Sequence, residues 1–309
     1  MKFTFLTGAG ASYGAGKIPN QPPLGNALFK ELRKKYPRTW GNFPWEYAGP
    51  LSRNFEIGMQ QIWQKRLNEV QKLMIEMACY FSEFNPSDDG SDCYSQIASK
   101  IAKEKLVKKI AFATLNYECI LDIALCRSGL KIGYYHDPIP EDTIMIWKLH
   151  GACNLLPVLG LVNGTPTSTV VGGTIVAKNI YEGPVYAYDL PEVRNRYIKE
   201  NFSLPPAMCV YMPGKPTQSA GEAINNMRNQ WANWMLQSDV VFVIGVRPNL
   251  GERYVWQPII DSRAIVWYVG GRDGEYDDLQ KYLNYRLIYI KPTFSEAIDE
   301  ILDYIGSTS

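Results

Sequence analysis

Along the chain, short apolar runs alternate with longer amphipathic stretches. The runs are Phe3–Leu6, Ile110–Ala113, Met145–Leu149, Met208–Tyr211, Val240–Ile244, Ala264–Val269 and Leu287–Ile290. Runs without strict polar–apolar alternation suit strands buried on both faces, and such strands belong to parallel sheets covered by crossover helices. With helical patterns between many of them, they predict an α/β fold. The expected architecture is a Rossmann-like open, mostly parallel sheet with helices on both faces.

Two stretches interrupt the alternation. Residues 27–108 read as a mostly helical insertion. Within it Phe55, Met59, Ile62, Trp63, Leu67, Val70, Met74, Met77 and Phe81 recur mostly at three- and four-residue steps, which predicts one long amphipathic helix with a core-facing stripe. NPSDDGSD (Asn85–Asp92) is a polar turn that ends it. Residues 155–204, which contain VNGTPTSTVVGG, read as loops and small strands, either a segment over a site or a plain surface excursion. Phe294–Gly306 predicts a closing helix. The chain is thus expected to be one domain, residues 1–309, with its Rossmann-like core in 1–26, 109–154 and 205–305.

Composition narrows the function classes. A chain of 309 residues that is 46% hydrophobic can bury a large core. Charged residues are 20% with a formal net charge of +1, which argues against a strongly basic nucleic-acid binder; no direct sequence-specific nucleic-acid binding is expected. The local basic run Leu32–Arg38 reads as a solvated helix end. The longest clean apolar run, Val240–Val246, falls far short of the roughly 20 residues of a membrane span. Cys79, Cys93, Cys119, Cys126, Cys153 and Cys209 form no C-x-x-C pair, and the histidines are His136 and His150. A zinc site built from paired ligands is therefore not expected, and the scattered thiols suit a reduced, cytoplasmic setting with no membrane partner.

Three short motifs carry chemistry. The first, FLTGAGASYGAGK, follows the first apolar run and would let backbone approach a phosphate at a helix start. A P-loop reading fails because Gly16-Lys17 is followed by Ile18 and the first glycine position holds Ala11. A dehydrogenase G-x-G-x-x-G reading fails because Tyr13 holds the last position. The second motif, FATLNYECILD (Phe112–Asp122), ends a strand at Thr114 and brings Asn116 to the edge where open α/β sheets bind ligands; alternatively Asn116 caps the next helix. The third, IWKLHGACN (Ile146–Asn154), ends another strand at His150-Gly151, where the histidine is either a site residue or structural.

Together and in this order, the motifs resemble the sirtuin superfamily. Gly8-Ala9-Gly10-Ala11-Ser12 resembles its G-A-G-x-S loop, Thr114-Leu115-Asn116-Tyr117-Glu118 its T-x-N-x-D signature, and Leu149-His150-Gly151 its L-H-G motif. Ile244-Gly245-Val246-Arg247 matches only the strand and the glycine of a later G-T-S loop. The resemblance implies NAD+ bound across the C-terminal edge of the sheet and cleaved at its nicotinamide–ribose bond. It puts Gly8, Ala9, Ala11 and Ser12 at the pyrophosphate and nearby ribose, and Gly245 and Arg247 on the adenosine side. Asn116 would sit by the nicotinamide ribose and His150 would reach its hydroxyls, the two forming the catalytic pair, and Thr114, Asn116 and Glu118 would be among the cofactor-binding residues.

Departures from the deacylase branch point to a subtype. Only Cys153 and Cys209 follow His150, so the four-cysteine zinc module is missing, and Gly16–Pro22 lacks the Asp, Phe and Arg of the deacylase G-I-P-D-F-R. The chain is more similar to the zinc-less bacterial sirtuin-like NAD hydrolases of antiphage defence, which also carry helices after the glycine loop and an N-F-E segment like Asn54-Phe55-Glu56. That resemblance implies NAD+ as substrate and control by a partner protein, such as an ATPase or Argonaute-type protein, or by homo-oligomerisation. A deacylase or ADP-ribosyltransferase, and a non-catalytic NAD or ADP-ribose sensor, are the alternatives.

Overall fold

The computed structural model describes residues 1–134, 139–161, 167–171, 174–178, 180–200 and 202–308. Its strands are β1 (Phe3–Thr7), β2 (Ile110–Thr114), β3 (Lys131–Gly133), β4 (Thr143–Lys148), β5 (Leu155–Leu161), β6 (Thr167–Val171), β7 (Thr174–Lys178), β8 (Ile180–Ala187), β9 (Val240–Ile244), β10 (Ile265–Val269) and β11 (Leu287–Tyr289). Its α-helices are α1 (Ala9–Tyr13), α2 (Gly25–Lys35), α3 (Trp45–Arg53), α4 (Phe55–Lys65), α5 (Leu67–Phe81), α6 (Cys93–Glu104), α7 (Ile120–Arg127), α8 (Leu190–Ile198), α9 (Gly221–Met235), α10 (Arg253–Asp261), α11 (Gly274–Leu283) and α12 (Phe294–Thr308).

Seven strands form one sheet in the order β11-β10-β9-β1-β2-β4-β3, and every pairing is parallel. This is the expected Rossmann-like α/β architecture. Burial follows from the strand sequences. All five residues of β1, β2 and β9 are buried, so both faces must be apolar or satisfied. On one face Phe5 stacks between its register partners Phe112 and Phe242, with ring centroids 4.9 and 4.8 Å away. The same face carries Phe3, Phe242 and Trp267 against Tyr304 of α12. On the other face Thr4 accepts a 3.0 Å hydrogen bond from the Trp234 indole of α9, which lets a hydroxyl sit in the core. Helices therefore cover both sides.

The strand order locates the functional edge. From β1 the sheet grows toward β2 in one direction and toward β9 in the other. At such a switch point the outgoing loops diverge and leave a crevice above the strand C-termini.

Three details differ from the expectations. The long helix of the insertion is two helices, α4 and α5, broken at Arg66, whose backbone leaves the helical region at φ −139°, ψ 42°. Arg66 stabilises the break by lying over the Phe43 and Tyr47 rings and donating to Glu69 at 2.6 Å. Both helices bury the same kind of stripe, so periodicity reads through the break; Leu67, at the junction, is exposed. Met208–Tyr211 is not a strand of the sheet: Met208 bridges to Gly151 in the turn after β4, and Cys209 bridges to Thr217 in the segment before α9. The edge strand β3 is too short and charged to stand out as an apolar run. In the second insertion β5 pairs with β8 and β6 with β7, both antiparallel, and α8 follows; residues 162–166, 172–173, 179 and 201, on which part of the loop expectation rested, lie outside the described residues.

Candidate functional site

The loops that leave the C-terminal ends of β1, β2, β4, β9 and β10 enclose an open cleft of about 720 Å³. Its floor is the glycine loop after β1 wedged against the loop after β9. Gly245 adopts φ +61°, and a Cβ there would lie 1.9 Å from the Ala11 nitrogen. A Cβ on Gly8 would lie 2.7 Å from the Gly245 carbonyl oxygen. Only glycine permits this approach. Gly8 N donates to the Ile244 carbonyl and Gly10 N to the Gly245 carbonyl, both at 3.0 Å, and Ala11 N donates to Gly8 O at 2.9 Å. Two of the amides that the glycine motif suggests for an anion, Gly8 and Gly10, are thus engaged in joining the two loops, and α1 is only five residues long.

One wall carries Asn116. Its backbone N–H donates to the Thr114 hydroxyl at 3.1 Å, which sets the turn after β2. Its side-chain NH2 faces three acceptors: the Gly8 carbonyl at 3.1 Å, and Ser12 Oγ and Glu118 Oε1, each at 2.9 Å. Ser12 donates its own proton to Glu118 at 2.6 Å, so the Tyr94 hydroxyl, 2.9 Å away, donates to Ser12. A carbonyl and a carboxylate that both demand donors determine which way the amide is turned. All three of these bonds use the amide nitrogen and none uses Oδ1, and the side chain lines the cleft. Asn116 does not cap α7; Glu118 does that work, accepting from the Ile120 amide at 2.6 Å. Burial raises the Glu118 pKa above the usual carboxylate value, against the opposing pull of Ser12, the Ile120 amide and Lys148.

The opposite wall carries His150. Gly151, at φ +75°, turns the chain under the Ala207 carbonyl, where a Cβ would lie 1.8 Å from the oxygen. The His150 backbone carbonyl accepts from Cys209 N at 2.8 Å. The imidazole Nε2 is 2.9 Å from the Tyr254 hydroxyl and 3.5 Å from Glu252 Oε2. Glu252 is 3.6 Å from Lys215 Nζ, and Lys215 also pairs with Glu56 of α4. Arg228 of α9 stacks over Tyr254 at 3.7 Å. Burial lowers the His150 pKa below its ordinary value; Lys215 and Arg228 push the same way and Glu252 opposes them. The imidazole is therefore neutral near pH 7. Glu252 is raised by burial, but His150 and Lys215 outweigh that and leave it below the ordinary carboxylate range.

The two walls are tied from beneath. Lys148, fully buried at the end of β4, pairs with Asp122 of α7 at 2.6 Å and donates to the Glu118 carbonyl at 3.3 Å. Tyr134 donates to the other Asp122 oxygen at 2.6 Å, and Asn154 donates to Tyr134 at 3.1 Å. Burial disfavours the Lys148 charge, but Asp122, Cys119 and Glu118 outweigh it and hold its pKa above the ordinary value.

No protein-family model matches the chain. No curated protein matches it either. Among solved structures, the chain is similar to a mutant Sir2 homologue in complex with ADP-ribose, at 14% identity and a TM-score of 0.48 over 99% of this chain and 92% of that one. It is similar to a Sir2 homologue–NAD complex at 14% identity and a TM-score of 0.46, over 99% of this chain and 90% of that one. A sirtuin structure concerned with substrate affinity matches at 13% identity and a TM-score of 0.45, over 98% and 93%.

Of the residues singled out in the sequence, Gly8, Ala9, Asn116, His150, Gly245 and Arg247 line the cleft. Arg247 is largely exposed and pairs with Asp273 at 3.4 Å and with Glu275. Ala11, Ser12, Thr114 and Glu118 do not line it. They lie buried behind the floor, where Ser12, Thr114 and Glu118 orient Asn116 and Ala11 packs against Gly245. The sequence reading missed Glu252, Tyr254, Lys215 and Lys148. Only Lys148 had a local signal, a lysine inside the apolar pattern of a strand. Glu56 falls in the Asn54-Phe55-Glu56 segment, where Asn54 caps α4 by accepting from Ile57 N at 3.2 Å. Among the described residues no group of three or more His, Cys, Asp or Glu is disposed to hold a metal ion. His136 lies outside the described residues. No helix among them is long and apolar enough to cross a membrane.

Proposed function

We propose that the chain is an NAD+ glycohydrolase that releases nicotinamide and ADP-ribose. The observation that carries this reading is the pairing, across one cleft at the sheet's switch point, of a side-chain amide locked with its oxygen unspent and a neutral imidazole. The sequence resemblance supplies the substrate. In the reaction the bond between ribose C1′ and the nicotinamide nitrogen breaks, and its electron pair neutralises the pyridinium. A water oxygen then bonds to C1′ and releases its proton to solvent. Asn116 Oδ1 orients a ribose hydroxyl and the attacking water. His150 accepts a ribose hydroxyl proton as positive charge develops on the sugar and returns it to the same oxygen once water has bonded to C1′. A placed general base contributes about 10²–10⁴-fold. Groups that stabilise the developing charge lower the barrier because they act more strongly in the transition state than in the bound substrate.

We further propose that the activity serves as a regulated NAD-depleting effector in bacterial antiphage defence. An NADase without control would exhaust its host, so a neighbouring protein, such as an ATPase or Argonaute-type partner, or self-association supplies the control. The test is to incubate the pure protein with NAD+, with and without such partners, and to follow nicotinamide and ADP-ribose. Release that is abolished in His150→Ala supports the reading. Release that requires an acylated peptide, or binding without turnover under every condition, overturns it.

A further inference from the structure

His150 is held through one nitrogen. Nε2 faces the Tyr254 hydroxyl and the Glu252 carboxylate, and neither contact uses Nδ1 of this ring, which lines the cleft. The two neighbours of Nε2 are not equivalent. A phenol can donate or accept and so leaves the imidazole tautomer open; a carboxylate only accepts and demands a proton on the nitrogen it faces. Glu252 is itself constrained. It precedes α10 directly, and Lys215 reaches it from the segment before α9 while holding Glu56 of α4. Lys215 does so from a left-handed backbone, φ 45°, that a side-chain-bearing residue retains only where its surroundings enforce it.

We infer that Glu252 is a positioning residue for His150: it keeps the imidazole proton on Nε2, leaves Nδ1 as the basic nitrogen, and balances the charge once Nδ1 has taken a proton. This rests on the reading of His150 as the base of the proposed reaction. The proton balance is complete within the site. A substrate hydroxyl proton moves to Nδ1, the ring is cationic while Glu252 carries the matching charge, and the proton returns to the same oxygen when water has bonded to C1′, with no further reactant. The charged and titratable groups around the imidazole are Glu252 and Tyr254 at the start of α10, Lys215 and Cys209 from the segment before α9, Arg228 of α9 and Glu56 of α4. Of these only Glu252 is an acceptor-only group facing the ring nitrogen. Lys215 keeps Glu252 ionised and, through its own charge, keeps the imidazole from protonating early.

The test uses ring nitrogen NMR on the whole protein. With two histidines in the chain, the His150 signals are those lost in His150→Ala. The wild type should show the Nε2–H tautomer. Glu252→Gln should mix the tautomers and lower the His150 pKa, Glu252→Asp should restore both, and Lys215→Met should raise the pKa. Nicotinamide release should fall at least about tenfold in Glu252→Gln, by less than the loss at His150 itself, and recover in part in Glu252→Asp. A tautomer and titration unchanged in Glu252→Gln overturn the inference, as does an equal change in Glu252→Asp. If Glu252→Gln does not fold, Lys215→Met reads the same contact: a His150 pKa that fails to rise overturns it. The NMR result stands apart from catalysis, so a wild type that cleaves no NAD+ sinks the functional reading and not this one.

Discussion

The two walls of the cleft are built in opposite ways. The Asn116 wall is local and sealed: Thr114, Asn116 and Glu118 come from one turn, Gly8 and Ser12 from another, and Tyr94 is the one remote contributor. Its polar atoms answer one another in a closed set of neutral and acceptor groups. The His150 wall is assembled from afar. Glu56, His150, Lys215, Arg228 and Glu252 come from five separate segments: Lys215 pairs with Glu56 and Glu252, Glu252 faces the imidazole, and Arg228 stacks over Tyr254. A sealed network presents one oxygen in one orientation. An ionic assembly instead sets a proton's position and energy, and it responds to pH. The proposed reaction, which must both orient a sugar and move a proton, has use for each.

The largest expected effect is on the tie between the walls. Lys148→Met leaves the Asp122 charge buried without its cation, and should destabilise the fold by about 3–5 kcal/mol in denaturant titrations. Replacing Asp122 by Leu in the same chain should return much of that loss; a double variant no better than the single one would mean the pair is not the tie. Next come the two walls themselves. His150→Ala and Asn116→Ala should each cut nicotinamide release by at least about two orders of magnitude. They should part in stability, because Asn116→Ala strips a donor from three buried acceptors and costs about 1–3 kcal/mol, whereas the His150 side opens to the cleft. An Asn116→Ala protein as stable as the wild type would break the contrast between sealed and assembled walls.

The pH dependence sharpens the same contrast. In the proposed reaction His150 acts neutral, and burial depresses its pKa below 6.5. Activity should therefore hold from neutral pH downward and fall only below pH 6.5, as the imidazole takes up its proton. A rate profile with its acid limb centred above 6.5 would refute the depressed value. The smallest effect is expected at the far end of the cleft. The Arg247 pairs with Asp273 and Glu275 are solvent-exposed, so Arg247→Ala should change stability by no more than about 0.5 kcal/mol. Any larger loss should appear in the apparent KM for NAD+ instead.

The same contrast explains what could be read from the chain. The sheet was legible because β1, β2 and β9 must be apolar on both faces. Asn116 and the glycine loop were legible because each function sits beside the backbone turn that delivers it. Periodicity ran through Arg66 because helices on either side of a break can bury one continuous stripe. Met208–Tyr211 carries the apolar run of a strand, yet it is buried against the turn after β4. Lys215 and Glu252 left no trace, since neither has a neighbour in sequence that demands it; their meaning lies in contacts with each other and with Glu56 and His150, far along the chain. Ser12 and Glu118 were found as motif positions, but their work is to aim another side chain.

The wedge between the first glycine loop and Gly245 also has a temporal side. Gly8 and Gly10 donate to carbonyls that lie more than two hundred residues later in the chain, and β1 is edged by β9 on that side. During synthesis the first loop emerges early and must wait for the last third of the polypeptide before its floor exists. Ribosome-bound chains stalled before Val240 should therefore bind no nucleotide, which makes completion of translation the first gate on whatever this cleft does.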